Sequence, residues 1–101
     1  MNKICKIKIS ENPITDLAPL VDLPNLKILE LDYCPVSALK DIAQMVSLEK
    51  LNIDGYKGND ITSLTNLKDL TTLEIHNVNI DDEQVNYIRQ SLPNCEIILN
   101  D

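Results

Sequence analysis

The chain has no phenylalanine, no tryptophan, only three tyrosines and two glycines in 101 residues. Without large aromatics a core must be assembled from many similar aliphatic side chains, and so few glycines leave no phosphate-cradling glycine loop. Basic residues are scarce as well: 9 Lys and Arg against 16 Asp and Glu give a net charge of −7 and a pI near 4.5. A surface of that sign repels phosphate backbones, so nucleic acid is excluded as a partner class. No apolar run approaches the ~20 residues of a membrane span, so no membrane role is expected. The start, Met1 to Ser10, alternates lysine with isoleucine and cysteine, which is neither a signal-peptide core nor a cleavage site. Cys5, Cys34 and Cys95 form no CxxC pair, no zinc spacing and no even-numbered disulfide set. A reducing compartment follows, and a cytoplasmic location if the chain is the whole product rather than part of a longer one.

What is abundant is leucine and isoleucine at fixed intervals. Ile4-x-x-Ile7-x-Ile9-x-x-Asn12-x-Ile14 returns as Leu26-x-x-Leu29-x-Leu31-x-x-Cys34-x-Val36. It returns again from Leu48 (Leu51, Ile53) and from Leu70 (Leu73, Ile75, Ile80), with a last partial copy Leu92, Cys95, Ile97. The starts fall at 4, 26, 48, 70 and 92, a constant interval of 26 − 4 = 22. Positions one, four and six of every copy are apolar, and at this composition chance would do that about 4 times in a million in a preselected register. The intervening positions three, five and seven are polar except for Ile28 and Ile98. This is period-two alternation: a short strand with one buried and one solvated face in every copy.

These copies resemble the leucine-rich repeat, LxxLxLxxN/CxL, and their period is that of the 22-residue class found in bacterial internalins. The resemblance covers nearly the whole chain. It implies one domain over residues 1–101, an α/β right-handed solenoid with about five parallel strands on the concave face. The crossovers that parallel strands require would form the convex side. Apolar residues every three positions, as in Ile14, Leu17, Leu20 and Leu23, suit a 3₁₀ turn. Ser37 is placed to cap a helix turning Leu39, Ile42, Ala43 and Val46 inward. Asp81 with Gln84 reads as an N-cap, Val85, Ile88 and Leu92 share one helix face, and Pro93 stops that helix.

Two copies depart from the motif at its ninth position. Asn12 and Cys34 fit the small ladder residue, whereas Tyr56 is too large to tuck in and Val78 is apolar. Gly55 and Gly58 bracket Tyr56 and Lys57, so the turn is either reshaped to house the ring or is a binding loop. The core resumes at Ile61, Leu64 and Leu67. At the N-terminal edge no cap is visible; Lys3, Lys6 and Lys8 alternate along the first strand and guard it against pairing. A monomer is expected, with a dimer through that edge strand, or cover by an upstream segment, as the alternative. At the other end Ile98 and Leu99 are unusually apolar.

Stacked copies align equivalent residues about 4.8 Å apart, so position seven lines up Ser10, Asp32, Asp54, His76 and Ile98. Two carboxylates and the sole histidine, Asp32, Asp54 and His76, are conceivable ligands for a divalent metal or an acid/base set. A flat strand face offers them no enclosing pocket, no cofactor is implied, and a Cys5–His76 nucleophile pair would span three strands. The chain reads as no enzyme. Protein recognition is the better reading: Tyr33 and Tyr56 near the rim lie beside Asp32, Asp54, His76 and Asn77, with Asn52 at position five of the third copy. Position five adds Glu30, Glu74 and Glu96, while Lys6, Lys8 and Lys50 make the first-strand side positive. The resemblance implies a protein partner, here one with a basic patch. Alternatives are an inhibitor or immunity-type protein neutralising a basic partner, the metal site, and a structural repeat from a longer protein. Tyr87 is expected to be partly buried.

Overall fold

Alternating apolar residues become strands, and the strands stack in chain order. The computed structural model describes residues 4–9, 17–34, 38–58 and 60–100. Strands β1 (Lys6–Ile9), β2 (Ile28–Leu31), β3 (Lys50–Asp54), β4 (Thr72–His76) and β5 (Glu96–Asn100) form one parallel sheet in the order β1-β2-β3-β4-β5. Between them run α1 (Ala18–Val21), α2 (Ala38–Ile42), a 3₁₀ segment (Thr62–Asn66) and α3 (Asp82–Ser91). This is the expected α/β solenoid. No described helix is long and apolar enough to cross a membrane.

Pairing follows the repeat for three junctions and then slips. Lys6 faces Ile28, Ile28 faces Lys50 and Lys50 faces Thr72, each step one full repeat, as in 28 − 6 = 22. Thr72, however, faces Glu96, a step of 96 − 72 = 24. Helix α3, at ten residues the longest crossover element, takes up the extra length. The core positions of the last coil are therefore Ile97 and Leu99, not Cys95 and Ile97. Glu96 falls in line with Thr72 rather than Glu74, and Asn100 rather than Ile98 pairs with His76.

The strand residues that point inward, Leu29, Leu31, Leu51, Ile53, Leu73 and Ile75, are at most 3% exposed. Their neighbours Leu26, Leu48 and Leu70 at position one are at most 2% exposed, and together they form one continuous aliphatic layer. The convex side closes it. Ile61, Leu64 and Leu67 are buried at three-residue spacing, as a 3₁₀ path dictates. In the first coil Leu20 and Leu23 take the same i→i+3 bonds, to Leu17 and Leu20 carbonyls at 2.9 and 3.2 Å, around the single α-turn of α1. Helix α2 buries Ala38, Leu39 and Ile42. It then tightens through Met45 N–H to Ile42 carbonyl (3.0 Å), and Met45 goes inside while Val46, expected inside, is 63% exposed. Ser37, the expected cap, and Ile14 lie outside the described residues.

Polar side chains stitch each coil to the next. Ser47 Oγ donates to the Leu26 carbonyl at 2.6 Å, Thr71 Oγ1 to the Glu49 carbonyl at 3.0 Å, and Leu17 N–H to Asp41 Oδ2 at 3.3 Å. Asp81 caps α3 by accepting Gln84 N–H at 3.0 Å. The Gln84 side chain accepts Ile61 N–H at 2.8 Å, so it ties α3 to the previous coil. Asp81→Ala should cost about 0.5–2 kcal/mol in urea unfolding. Gln84→Ala strands the partly buried Ile61 amide and should cost a similar amount, about 1–3 kcal/mol. Val85, Ile88 and Leu92 are buried as the spacing requires, whereas Tyr87 lies on the outer face at 51% exposure, not partly buried.

Candidate functional site

The solvated face of the sheet carries three columns of side chains. Beside Lys6, Ile28, Lys50, Thr72 and Glu96 runs the central column Lys8, Glu30, Asn52, Glu74 and Ile98. The strand ends carry Asp32, Asp54 and His76. Glu30, Asn52, Asp54, Glu74 and His76 are half-buried, and Asp32 is exposed. Lys6 Nζ lies 3.7 Å from Glu30 Oε2, a partly screened pair that joins β1 to β2. A hollow between Glu30, Lys50, Asn52 and Glu74 measures only ≈ 60 Å³, too small to enclose a substrate. The face is open to solvent and encloses nothing.

The rim beside the strand ends is built by a repeated backbone turn. Gly55 (φ 72°) and Asn77 (φ 55°), one repeat apart, both leave their strands through the left-handed region. Glycine and asparagine are the residues that tolerate it. Gly55 N–H donates to the His76 carbonyl at 2.9 Å, and Asn77 Nδ2 donates to Asp54 Oδ1 at 2.9 Å. The equivalent residue one coil earlier is Tyr33, which is 45% exposed. Its Cδ1 lies 3.9 Å from where a Cβ on Gly55 would stand, so the ring lies against the Gly55 turn. Lys57 Nζ sits 5.8 Å from the Tyr33 ring centroid, a cation–π distance. Lys57 was not among the residues the sequence singled out; its only signal was a place inside the glycine-bracketed loop.

Tyr56 is not a rim residue. It is 5% exposed, and its hydroxyl donates to the Asp60 carbonyl at 3.1 Å. The expectation that the ring is too large to tuck in fails because Gly58 has no side chain: a Cβ there would stand 2.5 Å from the Tyr56 hydroxyl oxygen. Burial pushes the Tyr56 phenol up, with the neighbouring Cys34 and Asp60 adding to it. The loop is the turn reshaped to house the ring. Asp60 itself accepts Thr62 N–H at 2.9 Å and the Thr62 hydroxyl at 2.7 Å, which hold its carboxyl below the usual range.

The metal site suggested by position seven does not assemble among the described residues. Asp54 is engaged by Asn77, His76 Nε2 lies 3.5 Å from Glu74 Oε1 on its own strand, and Asp32 projects beyond β2. Among the described residues no three His, Cys, Asp or Glu side chains converge as a metal site, so Asp32, Asp54 and His76 are not a ligand set. The thiols stand apart from His76 as well. Cys5 is exposed beside β1, three strand spacings or ~14 Å away. Cys34 is buried, and that burial pushes its thiol up to about 11, so it stays protonated at neutral pH. Burial also raises the Cys95 thiol.

Among solved structures, internalin C2 from Listeria monocytogenes is similar to this chain, with a TM-score of 0.69 and 28% identity. The match covers 91% of this chain and 40% of that one, so the chain spans less than half the length of its neighbour. No family model matches the chain, and no curated protein does. The ladder of parallel strands, the aliphatic core and this likeness together make the fold a leucine-rich-repeat solenoid.

Proposed function

We propose that this leucine-rich-repeat solenoid is a non-enzymatic protein-recognition module whose partner presents a basic patch to the open sheet face and its rim. One observation carries the reading. Glu30, Asp54 and Glu74 stand on adjacent strands of a preformed sheet and Asp32 just past the end of β2, with the exposed Tyr33 ring beside it. A preformed sheet loses little conformational entropy on association, carboxylates steer a cationic partner, and a tyrosine supplies anchoring area. The fold's likeness to internalin C2 supports a repeat surface of this kind, and the three junctions that keep the repeat interval support placing the repeats in the internalin class. Three cysteines, one of them exposed, suit a reducing, cytoplasmic setting.

The test is capture from lysate of the source cell by the immobilised protein, set beside an Asp32→Lys, Asp54→Lys double variant shown folded by circular dichroism. The wild type should retain a discrete basic protein, and the variant should bind that protein at least about tenfold more weakly. Equal retention by both would remove the acidic face from the interface.

A further inference from the structure

The two outermost strands of the sheet, β1 and β5, leave their core-facing residues partly uncovered. Ile7 and Ile9 on β1 and Ile97 on β5 are half-buried and Leu99 is 47% exposed, where their counterparts on β2, β3 and β4 are at most 3% exposed. Ile4, leading into β1, is 46% exposed. Each strand also turns one row of backbone groups outward. The carbonyls of Cys5 and Ile9 accept amides from the β2 side, so by alternation Lys6 and Lys8 direct their N–H and C=O away from it. On β5, Glu96 N–H donates inward to the Thr71 carbonyl, so Ile97 and Leu99 direct theirs outward.

We propose that β1 of one copy of this chain docks on β5 of another, head to tail, and continues the parallel ladder. The pairing that seats Glu96 against Lys6 and the apolar residues side by side sets the register: Ile97 N–H reaches the Lys6 carbonyl and the Ile97 carbonyl accepts Lys8 N–H. That register sets Ile97 beside Ile7 and Leu99 beside Ile9, closing the apolar layer across the joint. It also sets Glu96 beside Lys6, an acid against the lysine that already reaches Glu30 across the β1–β2 step. Edge lysines discourage indiscriminate pairing, and a carboxylate opposite one of them makes this edge selective for its own far end. The two contact surfaces differ, so two copies do not pair symmetrically, and each added copy leaves a free edge for the next. The open face stays uncovered, and each added copy lengthens it.

Sedimentation equilibrium of the 101-residue protein, from about 10 µM to about 1 mM, reads this out. The weight-average mass should climb above 11.4 kDa without a plateau. Lys8→Pro removes an outward donor without touching a β1–β2 bond and should stay monomeric with an unchanged circular dichroism spectrum. Glu96→Lys should shift the rise to about tenfold higher concentration, and Lys6→Glu in the same chain should restore it. A mass of 11.4 kDa throughout, a plateau at twice that value, or growth indifferent to Lys8→Pro and Glu96→Lys would each overturn the proposal.

Discussion

Replacing Leu51 by alanine will remove about 2–5 kcal/mol of stability, because the side chain is truncated where no neighbour can fill the space. Leu51 is 1% exposed on the central strand, paired in register with Leu29 on one side and Leu73 on the other. Each of those is itself fully buried, so the cavity opens between coils that are fixed by their own ladders. A domain of this size is stable by about 5–15 kcal/mol, so the loss is a large share of the total. Each kcal/mol should lower Tm by about 4–8 °C, and a thermal melt followed by circular dichroism measures it. Ile7→Ala, on the half-buried outer strand, is the control and should cost only on the order of 1–2 kcal/mol. Equal costs at the two sites would mean that the layers do not share one core.

Gly58→Ala will cost about 1–3 kcal/mol, an overpacking penalty with a single identifiable cause. The new methyl would stand 2.5 Å from the Tyr56 hydroxyl oxygen, 2.7 Å from Cζ and 3.0 Å from Cε2. The ring cannot swing clear without breaking the hydroxyl bond to Asp60 and exposing a buried side chain. In a Tyr56→Leu background the obstructing atoms are gone, and Gly58→Ala should then change stability by less than about 0.5 kcal/mol. Urea midpoints of the four proteins complete the cycle. If the glycine substitution costs the same with and without the ring, the constraint lies in the backbone and the ring is incidental.

The positions that form the sheet were legible because burial alternates along a strand with a period of two, and Leu29, Leu31, Leu51, Ile53, Leu73 and Ile75 all obey it. The same property hid the slip at β5. A shift of two residues leaves the alternation intact, so Cys95 with Ile97 and Ile97 with Leu99 satisfy the pattern equally well. Which pair faces β4 depends on how much chain α3 consumes, and no single residue encodes that. At Tyr56 the departure from the motif was visible but its sense was not. Side-chain size argued for the rim, while the space comes from Gly58, two residues on, where an aliphatic side chain is missing. Met45 takes the inward place expected of Val46 because the coil after Ile42 tightens out of helical period. Of the candidate site, the carboxylates and Tyr33 could be placed by column arithmetic. The Asn77–Asp54 and Lys57–Tyr33 contacts could not, since they depend on turns outside the strand repeat.

The order of the strands has a kinetic meaning. Every strand is paired with the one just before it, so no ladder requires the chain to close a loop longer than a single coil. Loop-closure entropy is then nearly the same for each step and does not accumulate with length. The slow event is the first pairing of two coils, wherever it happens, and later coils add to an edge that is already formed. Folding of this chain should therefore resemble crystal growth from a nucleus more than the collapse of distant segments onto one another.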